Sequence, residues 1–418
     1  MRATSAQQAG FVPMYRVSPF VRRFAWALLG GVFLATLWVN LSPASYYDAM
    51  EYRLIELAKP AWIAGDVLVI TPMTVTSELL MPLFLFFVGK ELWEALVLQR
   101  GALSGRRALL PAGAVIGACL GALAVWLAHS AVFVADEWVH WAEGWPLPFG
   151  SEIILGYVAG RMVFGPAHPA LHLLLLISIA TSILGILAAG LASPGGDLQP
   201  LWLALPVLAC AALAWLNRRP QTDDLTERDR RRGQTLWPYA VAGLVSWLGV
   251  VAAGLPGALG LLPVIPLIPH AERAFGLFAE AEEYLHDPLN RLAHSLVKPL
   301  AVVLFLFGLT RGGIDLAAFA PTTITVLLST WLGKPLGLLF GALLMAQLFR
   351  LPMPAGVRIR DLVLVAILSG IGFTVPVLSL DTALPGGAMA EAARLGFALS
   401  LLAWPAALLL SRALRRAG

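Results

Sequence analysis

Two side chains of this sequence stand out by type and place. Glu152 and Lys334 are a carboxylate and an ammonium set inside apolar stretches of a chain in which only 13% of residues are charged. A charge at membrane depth is costly and marks a functional site by default. Glu152 follows Pro146, Pro148 and Gly150 in "GWPLPFGSEIILGYVAG", where freed helix N–H groups favour a negative charge. Lys334, in "TWLGKPLG", suits the carbonyl ends of interrupted helices. Such a pair can bind and release an ion, or it can only neutralise half-helix dipoles. Ser151 and the adjacent Thr181 and Ser182, in "LLLLISIATSILGIL", add hydroxyls. These offer neutral oxygens to a cation but release no proton near neutral pH.

Other polar residues invite weaker readings. Glu78 opens "SELLMPLFLFFVGKELWEAL" as a candidate for an entry path or an interfacial position, and Glu91 and Glu94 read as solvated. Lys298 can snorkel to an interface. Arg311 beside Asp315 reads as a surface pair. His168 and His172 have the i, i+4 spacing of a two-ligand metal face, but no third ligand is evident, so a structural role is expected. Cys119 and Cys210 sit in apolar runs without metal-ligand spacing. No phosphate-binding loop or hydrolase triad is present, so neither an enzyme nor a cofactor is expected. The basic residues lie between apolar runs rather than in one patch, which argues against nucleic acid.

The elements that position these groups are membrane helices. The chain of 418 residues is 59% hydrophobic, and apolar runs of spanning length recur along it. Spans are read near 22–41, 76–97, 109–129, 145–164, 170–193, 200–216, 236–254, 257–269, 296–315, 322–347, 361–380 and 391–413, roughly twelve in all. The run at 257–269 is short and proline-rich. The Arg pair ahead of the first span loosely resembles an export signal, but the apolar stretch reaches spanning length, and a retained helix is expected. Arg16, Arg22 and Arg23, then Arg100, Arg106 and Arg107, an Arg-rich loop at 217–235, Arg350, Arg358 and Arg360, and Arg412, Arg415 and Arg416 alternate with poorer loops. The loop at 130–144 carries Asp136, Glu137 and Glu143 and no Lys or Arg. The positive-inside rule puts both termini in the cytoplasm.

An internal repeat is visible. Gly113, Gly117 and Gly121 stripe the third span, and Gly333, Gly337 and Gly341 stripe the tenth. Each striped span precedes an interrupted one. The fourth holds Pro148 and Gly150, and the eleventh, "ILSGIGFTVPVLSL", holds Gly370, Gly372, Thr374 and Pro376. Exposed backbone at that depth is tolerated only where it lines a cavity or is buried in protein. Spans 3–5 and 10–12 start on opposite sides, which makes them inverted repeats, and interrupted helices at matching places point to a transporter site at the midplane.

These segments resemble the NhaA-type sodium/proton antiporters over nearly the whole chain. The likeness is carried by "LATLWVNLSP", "MPLFLFFVGKELWEAL", "GWPLPFGSEIILGYVAGRMVFGPAHPA", "LVKPLAVVLFLFGLTRGGI", "LGKPLG" and "GIGFT". It implies an all-α polytopic membrane fold of about twelve helices, with inverted three-helix repeats whose broken helices cross. It also implies a scaffold: residues 1–108 with spans 1 and 2 on the scaffold and dimerisation side, 109–195 as the first core repeat, 196–295 as scaffold spans 6–8, 296–320 as span 9 and 321–418 as the second core repeat. A bacterial-type inner membrane, a homodimer and exchange of sodium or lithium for protons in pH homeostasis are implied as well.

One departure is plain. The family places an adjacent aspartate pair in its fifth span, and that pattern falls on Thr181 and Ser182; Glu152, Lys334 and Glu78 match the family's other charged positions. The expected function is a monovalent cation/proton antiporter with an altered ion site. The alternatives are transport of an anion or small polar solute, suited to Lys334 with hydroxyl donors, and a membrane protein that interacts or regulates without transporting.

Overall fold

The structure, a computed structural model, describes residues 18–58, 67–97, 105–133, 144–166, 168–193, 198–217, 235–270, 277–278, 287–384 and 386–416. Residues 218–234 of the Arg-rich loop, Arg16, Arg100, Asp136, Glu137 and Glu143 lie outside the described residues. The protein is an all-α, multi-pass membrane protein. Among the described residues, nine helices of 18 residues or more are apolar enough to cross a membrane. They are Phe20–Leu41, Pro72–Val97, Leu109–Val132, Pro169–Ala192, Pro200–Asn217, Pro288–Arg311, Pro321–Leu348, Ile359–Leu378 and Ala388–Arg416, which serve as spans 1–3, 5, 6 and 9–12.

The three remaining apolar segments are shorter or interrupted. Span 4 is a single turn, Leu147–Phe149, then extended backbone, then the helix Ile154–Phe164. Span 7 is the 16-residue helix Trp237–Ala252. Span 8 is two tight turns, Gly257–Leu259 and Leu262–Leu267, because Pro256, Pro263 and Pro266 deny it the α-helical ladder. Span 11 is broken at 370–373, between the helices Ile359–Ser369 and Thr374–Leu378.

The glycine stripes face each other. Spans 3 and 10 pack antiparallel in register, with Gly113 against Gly341, Gly117 against Gly337 and Gly121 against Gly333. A Cβ at Gly117 would run into the Gly337 carbonyl oxygen, and one at Gly337 into that of Gly117. Backbones that close require the missing side chains. Among the described residues, this pairing and that of span 1 with span 9 are the two most extensive.

Two helices widen into a π-turn just ahead of a proline, at Val75–Leu80 before Pro82 and at Ser329–Gly333 before Pro335. Proline lacks the N–H that would reach four residues back. The carbonyl that Pro82 frees belongs to Glu78, and the Trp247 indole fills it at 2.7 Å.

Three features depart from the sequence reading. A two-stranded antiparallel hairpin, Ile55–Ala58 with Val67–Ile70, follows the first span; the β-branched "VLVI" before the Thr71 cap was its local signal. Glu91 and Glu94 are buried rather than solvated. Lys90, on the same helix, reaches Glu91 at 3.1 Å and Glu94 at 3.0 Å, and the Phe278 N–H donates to Glu91 at 2.6 Å. Arg311 is buried as well, and its partner is Asp381, with the Ser77 hydroxyl 2.9 Å from its Nε. Asp315 instead accepts from the Ala317 N–H at 2.9 Å. The Phe278 N–H on Glu91 and Asp381 on Arg311 are distant partners that sequence proximity does not reveal.

Candidate ion site at the crossing of two broken helices

The two interruptions meet. A Cβ on Gly150 would lie 2.8 Å from Pro376 Cδ, and one on Gly372 would lie 3.1 Å from the Gly150 carbonyl oxygen. The open backbone is satisfied across the crossing. The Glu152 N–H donates to the Ile371 carbonyl at 2.7 Å, and the Gly372 N–H to the Ser400 hydroxyl at 3.0 Å. Irregular chain at this depth survives because these groups find partners inside the protein.

Glu152 joins the beginnings of both half-helices. Its Oε1 accepts from the Ile154 and Leu155 N–H groups at 3.2 and 3.3 Å, in the first turn of its own helix. Its Oε2 accepts from the Thr374 N–H at 2.8 Å, where the second half of span 11 starts. Two helix N-termini thus converge on one buried carboxylate, an arrangement that stabilises negative charge.

Lys334 closes the opposite end of the same break. Its Nζ donates to the Phe149 and Gly150 carbonyls, both at 2.7 Å, and the side chain is fully buried. These carbonyls end the turn Leu147–Phe149, so the ammonium meets the negative end of a helical fragment. The π-turn before Lys334 sets where its side chain leaves span 10.

Span 5 brings the hydroxyls to the same place. Ser182 accepts from the Ser151 N–H at 3.2 Å and donates to the Ser151 carbonyl at 2.8 Å. Thr181 Oγ1 lies 3.1 Å from Ser151 Oγ and bonds back to the Ile177 carbonyl at 2.8 Å. Ser151 Oγ also donates to the Ser369 carbonyl at 3.0 Å. Ser178, one turn earlier on span 5, is buried with its hydroxyl unbonded among the described residues. The result is a cluster of neutral oxygens beside one carboxylate and one ammonium. Hard monovalent cations take oxygen ligands of this kind.

Seven of the residues singled out from sequence chemistry therefore surround the crossing: Ser151, Glu152, Thr181, Ser182, Lys334, Thr374 and Gly372, with Pro148, Gly150 and Gly370 in the interrupted backbone. Glu78 is held elsewhere, its Oε2 accepting from the Gly257 N–H of span 8 at 2.6 Å. The Phe149, Gly150 and Ser369 carbonyls and Ser400 escaped the sequence reading. A backbone oxygen has no residue-type signal, and one serine in "FALSLLAW" carries none either. His168 caps span 5, its Nδ1 accepting from the Ala170 N–H at 3.2 Å.

Comparison with known proteins bears on this geometry. The sequence pattern of the family described as Na+/H+ antiporter 1 matches residues 22–410. The chain belongs to this antiporter family. A Na(+)/H(+) antiporter NhaA of Jannaschia sp. (strain CCS1) is 37% identical over 395 residues, covering 92% of this chain and 94% of the relative. NhaA 2 of Pelobacter propionicus is 31% identical, covering 94% and 97%. Among solved structures, the sodium proton antiporter MjNhaP1 from Methanocaldococcus jannaschii at pH 8 matches with a TM-score of 0.53 at 14% identity, over 94% of this chain and 97% of that one. That likeness speaks to the fold alone. Within the antiporter family, this chain places Thr181 and Ser182 at the crossing, beside Glu152 and Lys334.

Proposed function

We propose that this protein is a secondary active transporter that exchanges a monovalent cation, Na+ or Li+, for protons through an altered ion site at the crossing. The observation that carries the reading is the convergence of Ser151, Thr181 and Ser182 within hydrogen-bonding distance, flanked by Glu152 and Lys334. Membership of the family and the names of its relatives support the antiport activity.

In this reading a cation displaces the hydrogen bonds among the hydroxyls and takes Ser151 Oγ, Thr181 Oγ1, Ser182 Oγ and the Ser369 carbonyl as ligands. The hydroxyls cannot supply the exchanged proton. Glu152 is the acid left to carry it, and Lys334 holds the break open by neutralising its carbonyls. One carboxylate where the family has more moves less charge per cycle. Residues 109–195 and 321–418 act as the moving core and the remaining spans as the scaffold. The termini lie in the cytoplasm of a bacterial-type cell, and the family likeness suggests a homodimer.

The test is transport in proteoliposomes under an imposed pH gradient, with sodium, lithium and potassium added in turn, then chloride. Sodium- or lithium-dependent proton flux that disappears in E152Q is the expected result. Undiminished flux in E152Q removes Glu152 as the carrier, and silence with every cation in the wild type removes the antiport reading.

A further inference from the structure

At the face that carries Arg358, Arg360, Arg412, Arg415 and Arg416, a cavity of about 150 Å³ opens between spans 4, 5, 11 and 12. Its polar lining is His168, Arg360, Asp361, Ser411 and Arg415, and Phe164 and Leu414 contribute to its apolar wall. None of these side chains belongs to the ion site.

Arg415 and His168 are anchored, and none of the donors is used up. Arg415 spends one Nη2 hydrogen on the Val163 carbonyl at 2.6 Å, which anchors its guanidinium across spans 12 and 4. A guanidinium has five N–H groups, so most of the fork remains. Arg360 meets Asp361 only at 3.9 Å, and Asp361 Oδ2 is engaged by the Arg358 N–H at 2.8 Å. His168 stacks on Phe164 with ring centroids 5.5 Å apart and gives its Nδ1 lone pair to the Ala170 N–H. A neutral ring bonded that way carries its proton on Nε2 and is a donor there. Three donors from three spans thus line one opening, with two guanidinium charges against one carboxylate.

We propose that this cavity binds the phosphate of an anionic phospholipid headgroup. Guanidinium forks match phosphate oxygens in pairs, and basic pockets between spans on the cytoplasmic side suit such headgroups. Asp361 disfavours a doubly charged anion and favours a singly charged phosphodiester, and the apolar wall suits the glycerol end of a lipid over a free ion. The opening joins the start of the ion-site helix, span 5, to the start of broken span 11, so a bound headgroup bridges one helix from each repeat.

The test is native mass spectrometry of the purified full chain, delipidated and then supplied with phosphatidylglycerol, phosphatidylcholine or inorganic phosphate. Wild type is expected to retain phosphatidylglycerol over phosphatidylcholine, and R360Q/R415Q to lose at least tenfold of that retention. H168N, whose amide oxygen can still cap span 5, is expected to lose about threefold and guards against a misfolded double variant. R412Q/R416Q removes two exposed arginines outside the cavity and is expected to bind as wild type. An equal loss in R412Q/R416Q, or full retention in R360Q/R415Q, overturns the site. Displacement of the lipid by millimolar inorganic phosphate overturns the headgroup as its occupant.

Discussion

The chemistry of the crossing turns on which atoms can part with a proton. Thr181 and Ser182 hold the Ser151 backbone by hydrogen bonds and add no titratable group. Replacing both by aspartate sets carboxylates beside Lys334, the composition of the resembled family. T181D/S182D is therefore expected to gain or increase sodium-dependent proton flux in proteoliposomes; a folded variant with unchanged flux would separate this site from the family's mechanism. S182A leaves the Ser151 N–H and carbonyl without their partner, and about 1–3 kcal/mol of stability should go with them. A melting temperature equal to wild type in detergent would contradict the hydrogen bonds described. The charged members of the site were visible in the sequence because Glu and Lys are conspicuous in apolar runs. The Phe149, Gly150 and Ser369 carbonyls were not, since any residue supplies one.

Single helices show where pattern outran or fell short of structure. The glycine stripes could be read at four-residue spacing, but that they face each other needs the fold. G117V drives a branched side chain into the Gly337 backbone and is expected to cost at least the 1–3 kcal/mol typical of overpacking, seen as loss of folded protein. Gly156 supplies the contrast: a Cβ there meets nothing within 4 Å, so G156A should be tolerated and melt at or slightly above wild type. The short helix Pro43–Met50 was not expected as a separate element. Its Tyr46 hydroxyl reaches the Leu309 and Thr310 carbonyls at 3.1 and 3.3 Å, and burial pushes its pKa up to about 12. The unfolded phenol ionises near 10 while the folded one stays neutral, so stability falls as pH rises from about 10 toward 12. Y46F should flatten that part of the pH–melting curve. The hairpin was missed because strands of four residues give too little alternation to compete with the helical pattern around them.

At the scale of the whole protein, most of the architecture was legible: the apolar runs and the paired interruptions. The long-range ion pair of Arg311 with Asp381 was not, because nothing local marks which carboxylate answers which arginine. Arg311 ends span 9, and Asp381 follows the broken span 11, so their pair ties the expected scaffold to the expected core. Removing Asp381 strands a buried guanidinium. Because Asp381 is 45% exposed, D381N should cost about 1–2 kcal/mol, less than a fully buried pair would. R311M/D381N should melt above D381N alone, and a lower melting temperature for the double variant would deny the coupling. The backbone-to-backbone seam of spans 3 and 10 has a mechanical consequence. Along the three facing glycine pairs backbone meets backbone, with the Met345 and Val125 side chains packed at the two ends, so the two helices have little room to slide and should behave as one stiff spar. A push on either broken helix is then expected to reach the other with little slack, so the crossing should travel as a single carriage rather than open one gate at a time.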